Sequence, residues 1–210
     1  RMVAAQLQEA TGLVSTDYAG LGTAAGRVVD LSTAVARLDG YADAADGAGA
    51  RVEVMYDAVG QMAGLLQELR SDLTQASGTD GTADLPTRAA ALLEEFESLL
   101  DTRSEGRYLF AGGLTETAPV DVDAAGYAAV DAATLASASE LAAEALDAVL
   151  AVQGRLSTAA GALERAAAKR RDEADFTRSL VDDATAVDVT ALAARLSTYQ
   201  AQLEASYAAI

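Results

Sequence analysis

Gly106-Arg107-Tyr108-Leu109-Phe110-Ala111-Gly112-Gly113-Leu114-Thr115-Glu116-Thr117-Ala118-Pro119 is a short aromatic segment set between two long tracts of helical pattern. Its residues predict a strand over Arg107–Phe110, a turn at Gly112-Gly113 and a second strand around Tyr127–Val130. Such a segment, with helix on both sides, is where a chain of this kind turns back on itself.

Reading outward toward the N-terminus, Leu92, Leu93, Phe96, Leu99, Leu100 and Arg103 form the stripe of one helix, ended by Glu105-Gly106. Pro86 sits in its first turn, where a missing N–H does no harm. The turn-rich stretch 77–84 separates it from a long amphipathic tract. There Val28, Leu31, Val35, Leu38, Ala42, Ala45, Gly49 and Val52 are spaced by alternating threes and fours, continued by Met55, Val59, Met62, Leu66, Leu69 and Leu73. Two threes meet at Val52, a single stammer in a coiled-coil seam. The tract would be roughly 70 Å long at about 1.5 Å per residue. Residues 13–27 read as an irregular connector, and residues 1–10 as a helix stopped near Thr11-Gly12.

Gly40, Gly47, Gly49, Gly60 and Gly64 lie inside that tract, each costing about 1 kcal/mol against alanine. Close approach of a neighbouring helix or loop is the expected reason for them, with a helix break near Gly47 as the alternative. Toward the C-terminus, a third helix starts near Thr134–Ser139. Leu141, Leu146, Val149, Leu156, Leu163, Phe176 and Leu180 mark its apolar side. The pattern weakens over Val181–Asp188 and resumes with Leu192, Leu196, Tyr199, Leu203 and Tyr207. The long stripes need partners, because helices of this kind are stabilised by burying one face on another. The expected fold is mainly α. It is an elongated antiparallel helical rod, a coiled-coil-like bundle with a small β-hairpin or loop region at one tip. Residues 1–106 and 134–210 are its two halves, one discontinuous domain, with 107–133 as the tip.

The composition excludes most chemistry. Among 210 residues there is no histidine and no cysteine, which removes the commonest general base, zinc ligands and thiol nucleophile together. A net charge of -17 argues against nucleic acid, whose phosphates need Lys and Arg. The basic knot Arg165–Arg171 is followed at once by Asp172 and Glu173 and reads as a solvated face. Gly20-Leu21-Gly22-Thr23-Ala24-Ala25-Gly26 is near a dinucleotide-binding loop but lacks the strand that should precede it. Glu94, Glu95 and Glu97 are clustered carboxylates on a solvated helix face. Gly60 and Gly64 form a small-xxx-small pair, but Gln61 and Gln67 beside it argue against a lipid setting. No run of about 18 apolar residues and no secretory signal is seen. No enzyme, cofactor or metal site is expected.

Several of these segments together resemble the bacterial flagellin family, most closely its hook-associated protein 3 branch. Gly106-Arg107-Tyr108-Leu109-Phe110-Ala111-Gly112 is the most specific piece. Thr11-Gly12 followed by a loop, Leu31…Leu38…Ala42-Asp43-Ala44-Ala45-Asp46-Gly47 and Leu66-Gln67-Glu68-Leu69-Arg70-Ser71-Asp72-Leu73 resemble the family's N-terminal part. Leu163-Glu164-Arg165, Val181-Asp182-Asp183-Ala184 and Leu196…Tyr199–Tyr207 resemble its C-terminal part.

The resemblance implies a structural subunit of the bacterial flagellum, at the hook–filament junction or in the filament. Such a subunit is exported unfolded through the flagellar apparatus and assembled outside the cell by helix packing. A coiled-coil adaptor or secretion-system structural protein is the alternative. The implied packing seam is Leu31, Val35, Leu38, Val52, Val59, Leu66, Leu69, Leu73, Leu192, Leu196 and Leu203, and the signature strand is Gly106, Arg107, Tyr108, Leu109 and Phe110. The implied partners are other flagellin or hook-associated subunits and a flagellar export chaperone, with no nucleic acid and no membrane insertion. Both ends read as cut within helices, so the family's terminal helices would be missing and the chain monomeric. Gln67, Glu68, Arg70 and Asp72 fall where flagellins meet the vertebrate flagellin receptor. There Glu68 stands where an arginine follows the Leu-Gln pair.

Overall fold

The computed structural model describes residues 2–15, 17–78, 84–120 and 132–208. The expected strand at Tyr127–Val130 lies outside them. The fold is mainly α. In order come α1 (Met2–Thr11), a 3-10 turn (Tyr18–Ala24), α2 (Ala25–Gly78), α3 (Leu85–Leu100), β1 (Arg103–Ser104), β2 (Arg107–Tyr108), α4 (Ala132–Thr185) and α5 (Val189–Ala208). Contacts divide it into two compact units. One joins residues up to Asp43 with those from Ala167 onward, and the other comprises Ala44–Ala166.

In the first unit, α1 packs on α5. Gly12 ends α1 with a left-handed backbone (φ 71) and bonds back to the Gln8 carbonyl at 2.8 Å, the usual glycine stop of a helix. The residues that follow pair with the α4–α5 corner. Leu13 bridges Ala186, Val14 N–H donates to the Thr185 carbonyl (2.8 Å) and Val187 N–H to the Gly12 carbonyl (2.9 Å). Leu192 and Leu196 are buried beside Val187. The expected irregular connector contains an ordered turn. The Asp17 carboxylate accepts from Gly20 N–H (2.9 Å), and Gly22 (φ 57) kinks the chain before α2. Farther along, Val28 and Ala42 of α2 and Ala167 and Ala174 of α4 are buried.

In the second unit α3 and the start of α4 share a core with the end of α2. Leu73, Ala76, Leu85, Leu135 and Ala142 are buried together, with Leu69 and Ala138 against them. Pro86 occupies the first turn of α3. Beyond α3 the chain makes a two-residue hairpin, not a continued helix end. Arg103 pairs with Tyr108 and Ser104 with Arg107, antiparallel. Glu105 (φ 52) and Gly106 (φ 79) are both left-handed, the conformation a tight hairpin turn requires. The partner of the signature strand is thus Arg103–Ser104, and the strand itself covers only Arg107–Tyr108. The expected division at 106/107 falls inside this turn.

Two expectations about the long helices are corrected. α2 is unbroken through Gly47, and no neighbour closes on its glycines as expected. A Cβ at Gly40, Gly47, Gly49 or Gly64 would meet nothing within 4 Å, and only Gly60 is approached, by Gln153 Nε2 at 3.1 Å. In α4, Leu141 and Phe176 are 65% and 66% exposed and do not belong to the buried stripe. The stripe mixes large residues with small ones: Leu135, Ala138, Ala142, Ala145, Val149, Val152, Leu156, Ala160, Leu163, Ala167, Arg170, Ala174, Thr177, Val181 and Ala184 are all buried or half-buried. They alternate threes and fours, except that two fours meet at Leu156.

Candidate functional site

Every position of the α2 heptad series from Val28 to Leu73 is at least half-buried. Among the seam residues, Leu31, Val35, Leu38, Val52, Leu66 and Leu69 are half-buried, and Val59 and Leu73 are buried. In α5, Leu192 and Leu196 are buried, but Leu203, farther along the same face, is 39% exposed. The burial follows from chain geometry. Residues three and four apart share one helix face, and that face is the one turned toward α3 or α4.

Beside the seam, in the second unit, lies an apolar groove of about 410 Å³. Leu65, Leu66 and Leu69 of α2, Leu92, Leu93 and Phe96 of α3, and the small Ala89 and Ala145 line it. Arg88 fastens α3 over this region. Its Nη2 lies 2.8 Å from Asp72 Oδ1 and 3.8 Å from Glu68 Oε1. Asp72 is 8% exposed, and its other oxygen has no hydrogen-bond partner among the described residues. A carboxylate so placed depends on its one cation, since an unpaired buried charge is expensive. Sequence reasoning missed this pair, because nothing local links Asp72 to Arg88. Gln67, Glu68 and Arg70 are exposed, whereas Asp72 is covered.

The hairpin is held from three sides. The Arg103 guanidinium lies 3.9 Å over the Tyr108 ring and donates to its phenol oxygen. Tyr108 N–H donates to the Thr115 carbonyl (2.8 Å), folding the glycine turn back over the strand, and Leu109 N–H donates to the Thr102 carbonyl (3.0 Å). Arg51 of α2 reaches Glu105 at 3.4 Å. Tyr108 is buried, Leu109 and Phe110 are half-buried beyond the strand, and Gly106 supplies the turn.

Charged side chains decorate helix faces. Arg178 of α4 forks onto both oxygens of Asp39 of α2 (2.6 Å each) and also meets Asp175. The hydrogen bond to Asp39, then that to Asp175, raises its pKa above the ordinary arginine value. Lys169 and Arg170 of the basic knot both pair with Glu173, and Arg170 lies 6.0 Å from the Tyr41 ring. Glu94 and Glu95 are exposed. The Gly20–Gly26 segment follows a helix, not a strand, and forms the 3-10 turn and first residues of α2. No group of metal-ligating side chains occurs among the described residues, and no described helix is long and apolar enough to cross a membrane.

The surface therefore offers helix stripes, an apolar groove and a tight hairpin. The bacterial flagellin N-terminal helical region matches residues 1–115, the span that holds α1, α2, α3 and the hairpin. A search of curated proteins returns no match. By that match over more than half its length the chain belongs to the bacterial flagellin family, a structural family whose members assemble with other flagellar subunits into the extracellular filament.

Proposed function

We propose that this chain is a hook–filament junction subunit of the hook-associated protein 3 type, exported unfolded and assembled by packing its helix faces on neighbouring subunits. The observation that carries this reading is the short interval between the two helical halves. The chain passes from the hairpin at Tyr108 to the start of α4 at Ala132, which leaves no room for the outer domains of large flagellins. The open groove of Leu65, Leu69, Leu92 and Phe96 supports assembly through apolar helix faces. Before assembly such faces need cover, and a flagellar export chaperone is the partner that would give it. With a net charge of -17, copies of the chain repel one another, which favours a monomer for the 210 residues alone.

Immunogold labelling of intact cells tests the reading. A spot at the hook junction is the expected result, and label along the whole filament would assign the chain to the filament instead. The same reading carries an expectation for the vertebrate flagellin receptor. Glu68 reverses the charge at an aligned contact position, and a reversed pair can cost several kcal/mol, so receptor activation should be weak. A reporter-cell assay comparing the wild type with Glu68→Arg checks it, and potent activation by the wild type would remove the expectation.

A further inference from the structure

No side chain is buried between Ala42 and Ala58 in α2, and none between Leu146 and Ala167 in α4. Within those stretches, in the second unit, the helices leave a groove of about 340 Å³ between them, where Gly49 and Ala45 face Gly161 and Ala160. Asp46, Glu53 and Glu164 line the same groove. Gly47 and Gly49 have open space where a Cβ would sit. Their low helix propensity is therefore not offset by close packing.

The seams also fail here in opposite senses. Two threes meet at Val52 in α2 and two fours at Leu156 in α4. The first locally overwinds a coiled coil and the second unwinds it, so knobs and holes cannot stay in register through both.

The geometry points to a built-in opening joint, in which Ala45–Glu53 of α2 and Ala160–Glu164 of α4 part and fray locally while the leucine-packed end of the same unit stays folded. Thin packing, helix-weakening glycines and a broken seam act on the same residues, and each lowers the free energy of local opening. The groove is the place where the pair yields first under thermal motion or an applied pull.

Amide hydrogen exchange on the 210-residue chain tests this. Amides of residues 47–53 and 160–164 should exchange at least about 100-fold faster than those of 69–76. Gly47→Ala with Gly49→Ala should slow exchange in the joint by roughly 30-fold. Leu73→Ala should speed exchange of 69–76 and leave the joint's rate where it was. Equal protection at both places, or a joint that speeds up in step with Leu73→Ala, would overturn the proposal, because opening would then be global; no slowing by the double alanine variant would overturn it as well, because the glycines would then not weaken the joint.

Discussion

Two stretches of the same helix pair, both in the second unit, are built on opposite plans. At one end Leu69, Leu73 and Ala76 of α2 meet Leu85 of α3 and Leu135, Ala138 and Ala142 of α4, and Leu73, Leu85 and Leu135 are buried. At the other, residues 45–53 of α2 face α4 through alanine and glycine across a groove rimmed by carboxylates. The seam runs through both stretches, broken at Val52 and Leu156 in the thin one, but the energy is not shared. A seam tells where two helices can touch, while the volume of the side chains at its positions decides how strongly they hold.

The contrast can be broken most directly at Leu73, which is 4% exposed. Leu73→Ala should cost about 3 kcal/mol in urea unfolding, in the range of large-to-small core changes. Val52→Ala, at a seam position of the thin stretch, should cost less than about 1 kcal/mol. Equal losses at the two positions would erase the distinction.

The next effect concerns how α3 is fastened to the thick end. Arg88→Ala leaves the buried Asp72 carboxylate without its cation and should cost about 2 kcal/mol, reduced from the fully buried case because Arg88 is half in solvent. Replacing both partners by leucine should restore most of that loss. If the double variant is no better than the single one, the pair does more than satisfy itself.

Gly47→Ala runs the other way and sharpens the comparison from the thin side. With nothing near the added methyl, thermal unfolding should show a gain of about 1 kcal/mol. A loss would mean that the backbone there uses its freedom.

The smallest effect belongs to Arg178 in the first unit. Its raised pKa means that any contribution is complete below the unfolded-state value and lost only as pH rises through the folded one. Both lie far above neutrality, so between pH 5 and 9 its contribution should be flat. Arg178→Gln should change stability slightly at low salt and not at all near 1 M salt. A salt-independent loss would show that the fork onto Asp39 is more than a screened surface pair.

The parts of this fold legible in the sequence were those written in large residues. The α2 stripe could be followed because Val, Leu and Met mark its positions. The α4 stripe was only half legible. Ala138, Ala142, Ala167 and Ala174 carry no hydrophobic signal distinct from the alanines around them, so the exposed Leu141 and Phe176 were drawn into the pattern. β1 was missed because Arg103-Ser104 has weak strand preference, and Glu105-Gly106 resembles a helix stop as much as a hairpin turn. The glycines of α2 were read as marks of close approach. Glycine permits close approach but equally weakens a helix, and only the surroundings decide which use applies. The Arg88–Asp72 pair lay beyond reach because it is made by the docking of α3 on α2 and by no local pattern.

The division of the chain into units has a consequence in time. The second unit is drawn from one continuous run, Ala44–Ala166, whereas the first joins residues up to Asp43 with those from Ala167 onward. Arg178 and Asp39 are 139 positions apart in the chain. When this polypeptide emerges N-terminus first, from a ribosome or from a channel, the second unit has all its parts while the first still waits for its last strip of sequence. Closing a longer loop adds only modest entropy, so the delay is one of order and not of difficulty. During it, Val28, Leu31, Val35 and Leu38 have no α4 to lie against. The interval in which those side chains stand uncovered is therefore fixed by the order of the chain's residues.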